Sequence, residues 1–284
     1  MELKRLTGTD IKSILIAFNA SFSDYFVPFQ LIEQQLVSKM TADNTQLHLS
    51  VGAFDNGKLV GFILHGTDSI QGENVVYNGG TGVIPEKRGG GLTKKMYSYI
   101  LPILKKEGIN RIILEVIDSN IPAITSYTTS GFTITRELKC FKGTVQPRPI
   151  NKNLEIQKLQ YFNWKKMESF WDIAPTWQNS KGILNNTRSG LTLLGAFLEG
   201  KWVGYLIYNS VNHRIQQIAT DKNHRRQGIA SSLVTALTKT SGNSLSVINI
   251  DVNPPGTVHF FRSLGLEHYL TQVEMELKIN ATLA

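Results

Sequence analysis

Cysteine, long apolar runs and an apolar leader are scarce or missing in this 284-residue sequence. Cys140 is the only cysteine, so no intrachain disulfide can form and a reducing, cytoplasmic setting is expected. No run approaches the ~18 consecutive apolar residues of a membrane span, and MELKRLTGTD at the start lacks a signal peptide's apolar core. No membrane partner is therefore expected.

Long blocks of one charge are missing as well. The 30 Lys and Arg against 22 Asp and Glu give a formal net charge of +8, spread over short clusters such as Lys87-Arg88 and Arg225-Arg226. A mildly basic surface suits an anionic cofactor as well as DNA, so charge alone selects no partner. Nucleic-acid binding is the weaker alternative, and retention on DNA in high salt would test it.

An ordered internal repeat is present. Residues 57–64 read GKLVGFIL and residues 200–207 read GKWVGYLI. Two further pairs follow in the same order: Arg88–Thr93 with Arg225–Ala230, and Ser130–Phe132 with Leu264–Leu266. Three matches in the same order predict that the chain contains two copies of one fold, because repeats of this kind mark duplicated structural units.

The segment Gly143–Pro149, with two prolines and several polar residues, disfavours both helix and central strand and is the predicted boundary. The predicted domains are 1–145 and 146–284, each near the usual domain size. Strands and helices mix in each copy, which predicts an α/β or α+β fold with a mixed sheet. The pattern further predicts a helix over 92–107, a short helix near 122–129 and a final pair of strands through Phe141.

A glycine-rich turn carries the clearest chemistry. A predicted strand ending at Val83 runs into Pro85–Gly91 and then a helix, and the second copy repeats this arrangement before Gly228. Free N–H groups and the positive dipole end of a helix attract anions there, and glycine lets phosphate approach the backbone closely. The sequence therefore predicts two phosphate-binding turns.

The type of phosphate ligand follows from the spacing. No Gly-x-x-x-x-Gly-Lys-[Ser/Thr] string occurs, and Gly80-Thr-Gly82 lacks the third glycine of a dinucleotide fingerprint. Both turns fit Arg-x-x-Gly-x-[small], and in this the chain resembles the GNAT superfamily of N-acetyltransferases. The second copy matches the signature fully through Ala230, whereas the first has Thr93 in the last place.

A downstream element strengthens this resemblance. Asn120, Ala123, Tyr127 and Gly131-Phe132 have the spacing of the family's second signature, Asn-x-x-Ala-x-x-x-Tyr-x-x-x-Gly-Phe. The resemblance covers nearly the whole chain. It implies two tandem acyl-CoA N-acyltransferase folds, each with a sheet that splays between its fourth and fifth strands around acetyl-CoA, and it implies no metal.

The resemblance also assigns cofactor-binding positions. Val83 would pair its backbone with the pantetheine arm, and Asn120 would bind that arm or serve as a helix N-cap. The remaining expected cofactor-binding residues form the two turns: Lys87, Arg88, Gly89, Gly90, Gly91, Leu92 and Thr93 in the first, and Arg225, Arg226, Gln227, Gly228, Ile229 and Ala230 in the second.

Tyr127 is the predicted catalytic acid, because a phenol near the sulfur can protonate the departing thiolate. In the second copy Phe261 or Phe260 falls at this position, depending on the register chosen, and neither carries a hydroxyl. Pro254-Pro255-Gly256 also interrupts the segment expected to form the helix. We therefore expect the first copy to be catalytic and the second to be degenerate or regulatory.

A base is needed as well, because an alkylamine with a pKa near 10.4 costs roughly 4–5 kcal/mol to hold neutral at pH 7. The candidates are Asp24, Glu73, Tyr77 and Glu115, with Asp24 in a loop that borders the acceptor site in this fold.

The expected reaction is acetyl transfer from acetyl-CoA to a primary amine of a small molecule or peptide, by a monomer or homodimer. The alternative is a non-catalytic acyl-CoA sensor or scaffold. The segment Trp171–Ser180 could line an acceptor pocket or a seam between domains, and domain packing is the simpler interpretation.

Overall fold

The computed structural model describes residues 1–24, 30–253 and 255–279. The chain divides into two compact units, here called unit 1 and unit 2. Unit 1 consists of Met1–Thr135 together with Val273–Ala284, and unit 2 consists of Arg136–Gln272. The predicted ranges were 1–145 and 146–284. The residues from 136 to 145, at the end of the first range, group with unit 2, and the residues from 273 on, at the end of the second range, group with unit 1.

Unit 1 is a mixed sheet with helices. Its elements in chain order are β1 (Glu2–Arg5), α1 (Ile11–Ser21), α2 (Glu33–Ala42), β2 (Val51–Asp55), β3 (Lys58–Ile70), β4 (Glu73–Val83), α3 (Leu92–Lys106), β5 (Arg111–Ile117) and α4 (Ile121–Thr129). Strands β1 to β4 pair antiparallel in order, and β5 joins β4 in parallel. The strand next to β5 is the C-terminal part of β12 (Glu267–Lys278).

Unit 2 repeats this plan. Its elements are the larger part of β6 (Thr133–Thr144), then β7 (Leu154–Lys158), α5 (Trp164–Glu168), α6 (Lys181–Asn186), β8 (Leu191–Leu198), β9 (Lys201–Asn209), β10 (Arg214–Thr220), α7 (Ile229–Ser241), β11 (Ser244–Asp251), α8 (Pro255–Ser263) and the start of β12. Strands β7 to β10 pair antiparallel in order, and β11 is parallel to β10 and antiparallel to β6. The predicted mixed α/β fold is confirmed.

Amphipathic helices cover each sheet. In α3 the side chains of Met96, Ile100 and Leu104 are fully buried among residues of β2 to β5. In α7 the side chains of Leu233 and Leu237 fill the matching place in unit 2. This burial follows from the helical spacing of apolar residues, and it fixes the helix N-termini beside the ends of β4 and β10.

Two local predictions were wrong. The predicted pair of strands through Phe141 is a single strand, β6. Pro254-Pro255-Gly256 was expected to interrupt the helix, but helix α8 forms and Pro255 is its first residue. Proline is tolerated there, since the first N–H groups of a helix have no partner within the helix.

None of the helices in the described ranges has the length and apolar content that crossing a membrane requires.

Candidate functional site

The two glycine turns have the same backbone conformation. Each helix begins after a left-handed glycine, Gly91 at φ 67° before α3 and Gly228 at φ 76° before α7. Two residues earlier the chain is left-handed again, at Gly89 (φ 77°) in unit 1 and at Arg226 (φ 61°) in unit 2. Such alternation gathers consecutive N–H groups on one side, which is the geometry of an anion-binding nest.

The first turn of each helix is open to a ligand. Neither Gly91 nor Gly228 has a side chain that could cap the helix. A Cβ built on either glycine would meet no atom of a described, non-neighbouring residue within 4 Å, so a side chain at either position would point into open space. The uncapped N–H groups and the helix dipole therefore favour a negatively charged group at both places.

The arginine of each turn is held by an aspartate. In unit 1 Arg88 donates from Nη1 and Nη2 to the Asp24 carboxylate at 2.7 and 2.9 Å, and from Nε to the Val83 carbonyl oxygen. In unit 2 Arg225 Nη2 lies 2.8 Å from Asp172 Oδ2. The hydrogen bond from Arg88 lowers the pKa of Asp24, which makes this carboxylate a weaker base than a free one.

The neighbouring Lys87 is also paired. Its Nζ lies 2.6 Å from Asp55 Oδ2, and this bond lowers the pKa of Asp55. Leu92 is buried and packs in the core behind the turn, whereas Thr93 is half-buried. The turn of unit 1 thus offers backbone N–H groups to a ligand, while its two cations are engaged by carboxylates.

The strand that leads into each turn pairs over a short distance with the strand that follows the next helix. Parallel pairing of β4 with β5 is recorded from Val75 to Tyr77, and pairing of β10 with β11 at Arg214 with Ser246. The upper part of β4, which ends at Val83, lies beyond that pairing. Each inner strand carries one bulged residue, Gly79 in β4 and Gln216 in β10.

Tyr127 lies on α4, whose N-cap is Asn120. The Asn120 side-chain oxygen accepts the Ala123 N–H at 3.2 Å, as an N-cap does. The Tyr127 ring is half-buried and meets Phe132 edge-on, with centroids 5.7 Å apart. The structure thus brings Tyr127 close to the core of unit 1, at the end of the sheet where β5 leads into α4.

Tyr127 also neighbours a polar pair at the bulge of β4. Asn78 Nδ2 donates to the Tyr97 hydroxyl at 2.8 Å and to Thr81 Oγ1 at 2.7 Å. Burial raises the pKa of Tyr97, and interaction with Tyr127 adds to this. The Tyr97 and Thr81 hydroxyl groups therefore lie beside the bulge of β4, and Tyr97 links this polar group to Tyr127.

The residues predicted as candidate bases lie in different parts of unit 1. Glu73 begins β4, ten residues before Val83 and roughly 33 Å from it along an extended strand, and it pairs with Arg111 Nε at 2.8 Å. Tyr77 donates to Glu115 Oε2 at 2.9 Å. The structure does not bring Glu73 together with the turn or with Tyr127.

A carboxylate that the sequence did not single out lies at the bulge of unit 1. A Cβ built on Gly79 would come 2.8 Å from Asp43 Oδ2, and Asp43 is buried and paired with Lys39 at 2.6 Å. Asp43 comes from the end of α2, 36 residues before the bulge. No local motif could have indicated this approach.

Unit 2 contains a cleft of about 790 Å³ that begins at its turn. Its walls are β10, the facing part of β11, helix α8 and the segment after α5. Residues that line it include Trp171, Asp172, Thr176, Asn179, Gln216, Gln217, Thr220, Arg225, Gly228, Ala230, Asn249, His259 and Phe260. From the segment Trp171–Ser180, residues 171–176 and Asn179 therefore line a cavity within unit 2.

Phe261 occupies the position of Tyr127. Phe132 N–H donates to the Tyr127 carbonyl oxygen, and Leu266 N–H donates to the Phe261 carbonyl oxygen, around equivalent glycines. This decides between the two registers left open by the sequence. Phe261 is fully buried, so unit 2 has a phenyl ring where unit 1 has a phenol.

A cluster of carboxamides lies in the cleft of unit 2. Gln217 Nε2 donates to the Asn179 carbonyl oxygen at 2.6 Å, and Gln217 Oε1 accepts from the Tyr205 hydroxyl at 2.6 Å. Trp171 Nε1 donates in turn to the Tyr205 oxygen at 2.6 Å. Burial raises the pKa of Tyr205 well above its usual range, so this hydroxyl stays neutral. The sequence analysis missed these amides, although two glutamines in a central strand are unusual.

Among the residues that the structure describes, no group of three or more His, Cys, Asp or Glu side chains is arranged to hold a metal ion.

Comparison with known proteins identifies the class. The model of the acetyltransferase (GNAT) family matches residues 15–132 and again 151–266, so the chain belongs to this family. No curated protein sequence matches it.

Solved structures share the fold over nearly the whole chain. A GCN5-related N-acetyltransferase from Sphaerobacter thermophilus has a TM-score of 0.72 at 15% identity, covering 98% of this chain and 96% of that one. A tandem GNAT protein from the clavulanic acid biosynthesis pathway has a TM-score of 0.71 at 12% identity, covering 99% of both. The structural likeness agrees with two GNAT folds in one chain.

Proposed function

We propose that this protein transfers an acetyl group from acetyl-CoA directly to a primary amine. The observation that carries the proposal is the pair of matching left-handed turns at uncapped helix N-termini, one of which opens into the cleft of unit 2. Membership of the GNAT family supports an acyl-CoA donor. The acceptor is a small molecule or peptide that carries an amine.

Each turn would hold the pyrophosphate of the donor. The N–H groups around Gly89–Gly91 in unit 1 and around Gln227–Ala230 in unit 2 would donate to it. In unit 2, Arg226 and Arg148 line the cleft and add positive charge, whereas Asp172 is already paired with Arg225. Val83 and its counterpart Thr220, at the ends of β4 and β10, would pair with the pantetheine arm.

The roles in unit 1 follow from the groups around the bulge of β4. The amine attacks the thioester carbonyl carbon, the C–S bond breaks, and the Tyr127 phenol would protonate the departing thiolate. Asp43, at the bulge, is our structural candidate to take the amine proton, ahead of Glu73 and Asp24. We propose 1–145 as the catalytic copy on these grounds.

A matched exchange tests the tyrosine. Tyr127→Phe is expected to lower turnover at least about tenfold while CoA binding is unchanged, because only the proton donor is lost. Phe261→Tyr is the control, since it adds a phenol at the equivalent position of unit 2. Release of CoA thiol during acceptor screening gives the rate, and calorimetric titration gives the affinity.

The results separate the two units. If Tyr127→Phe has wild-type turnover, the assignment of the acid is wrong. If Phe261→Tyr raises turnover while Tyr127→Phe leaves it unchanged, the reaction belongs to unit 2.

A second candidate function is acyl-CoA binding without catalysis in the copy at 146–284. It is favoured by unit 2, which combines a large cleft with a buried phenyl ring at the position of the acid. A chain that binds acetyl-CoA tightly, yet acetylates no amine in a broad screen, would support this function.

We further propose a cytoplasmic protein, monomeric or homodimeric, that binds neither nucleic acid nor membrane. Sedimentation of the purified chain, alone and with DNA or vesicles, tests these expectations.

A further inference from the structure

Three buried polar atoms around the cleft of unit 2 have no hydrogen-bond partner among the residues that the structure describes. They are Asn179 Oδ1, Gln216 Oε1 and Asn249 Nδ2. All three residues line the cleft, and the side chains of Asn179 and Asn249 are each only 4% exposed. Buried polar groups are nearly always paired in folded proteins, with protein groups or water, so three such atoms around one cavity mark a place where a polar partner would bind.

The orientation of these amides is fixed by their other bonds. Asn179 Nδ2 donates to the Ile248 carbonyl oxygen at 3.3 Å, which directs Oδ1 away from that carbonyl. Asn249 Oδ1 accepts from Gln272 Nε2 at 2.9 Å, which leaves Nδ2 as the unpaired atom. The residues that line the cleft thus carry two unpaired acceptors and one unpaired donor.

This pattern selects the chemistry of the ligand. A carboxylate would satisfy Asn249 but would face the oxygens of Asn179 and Gln216. An ammonium would satisfy those oxygens but would leave Asn249 unpaired. A neutral amide both donates and accepts, so it alone of the three satisfies the whole set.

The charges and walls of the cleft agree with a neutral group at this point. The only carboxylate among the lining residues, Asp172, is paired with Arg225 at the turn. The cationic side chains Arg148 and Arg226 also line the cleft, and the phosphates of a donor would pair with them. Phe260 and Trp171 supply apolar surface for the carbon skeleton of a ligand.

We infer that the cleft of unit 2 contains a subsite for a neutral amide group, formed by Asn179, Gln216 and Asn249. The ligand is a small compound with a carboxamide or peptide-type amide, bound beside the acyl-CoA donor. The position beside the donor rests on the proposed function, because it requires acetyl-CoA in the same cleft.

Binding to the full chain tests the subsite, with propionamide, propionate and propylammonium as probes of similar size. Saturation-transfer NMR measures each probe with and without saturating CoA. Propionamide is expected to bind at least about tenfold more tightly than the other two when CoA is present. Equal binding of the three probes overturns the inference, as does displacement of propionamide by CoA, since the pantetheine amides would then occupy the cluster.

Two variants examine the named atoms. Asn249→Asp keeps the oxygen that Gln272 contacts but replaces the unpaired donor by an acceptor, so the preference should change to propylammonium. Gln216→Leu removes one acceptor and should weaken propionamide at least about tenfold. Asn243→Asp, the same change of charge at an exposed position of unit 2, is the control.

An unchanged preference in Asn249→Asp contradicts the inference, and Gln216→Leu provides an independent test if Asn249→Asp does not fold. Selective propionamide binding by a chain that binds no CoA supports the subsite and contradicts the proposed cofactor site.

Discussion

The two units share the same arrangement of strands, helices and turns, and they differ in the side chains around the bulged strand. Both have a left-handed turn, a bulged inner strand and an Arg–Asp pair at the turn. At the bulge unit 1 has Gly79 with Asp43 against it, and unit 2 has Gln216 in a cleft lined with amides. The duplicated fold therefore preserves the left-handed turn before an uncapped helix, while the side chains around the bulge have diverged.

The largest effect is expected from shortening the C-terminal strand. Ending the chain after Gln272 removes the fully buried Met275 and the Glu276 carboxylate, which accepts from Arg111 at 2.8 Å. Loss of a buried methionine alone costs about 2–5 kcal/mol, so unit 1 should unfold. Unit 2, Arg136–Gln272, keeps all its residues.

Two optical signals separate the units. All four tryptophans lie in unit 2, so tryptophan fluorescence reports its unfolding alone, while far-ultraviolet circular dichroism reports both units. Ending the chain after Ile279 is the matched control. A truncated chain that retains full ellipticity and its original melting profile would show that β12 is dispensable for unit 1.

The second largest effect is expected from acid, which should lower the stability of unit 1 more than that of unit 2. His65 is fully buried, and burial lowers its pKa to about 4 from 6.5, while Nδ1 contacts the Leu49 carbonyl oxygen at 2.7 Å. A lowered folded-state pKa means that the unfolded chain binds the proton more readily. Stability is therefore complete above pH 6.5 and falls by roughly 3 kcal/mol as the pH drops to 4.

Unit 2 has Tyr208 at the position that corresponds to His65 in the repeat, so the loss should be confined to unit 1. Chemical unfolding at pH 7 and pH 4.5, followed by ellipticity and by tryptophan fluorescence, measures it. His65→Gln should remove much of the difference between the two pH values. A difference that survives this replacement would assign the acid sensitivity to other groups.

The smallest effect is expected from the glycine pair. Gly91→Ala and Gly228→Ala each place a Cβ on a left-handed residue, which costs about 1–2 kcal/mol without any steric clash. Thermal unfolding should show similar losses for the two variants. CoA titration should show which turn binds the donor, and equal affinities in both variants and the wild type would mean that neither does.

Much of the fold could be predicted from the sequence because it depends on local patterns. The repeat, the helix after each turn and the place of the glycines follow from spacing and backbone chemistry. The loss of the hydroxyl in the second copy was also predicted, because both residues that could occupy the position of Tyr127 are phenylalanines. The position of β12 beside β5 could not be predicted, since Arg111 and Glu276 meet over 165 residues and no local signal specifies that pairing.

The amino-acid sequence by itself determined the duplicated GNAT fold and its two turns at helix N-termini. These depend on residues that are neighbours along the chain. Only the tertiary structure decided that Asp43 lies against Gly79, that His65 is buried, and that Asn179, Gln216 and Asn249 meet in one cleft. Contacts of this kind arise when distant segments pack together, and the burial that results gives these side chains their chemistry.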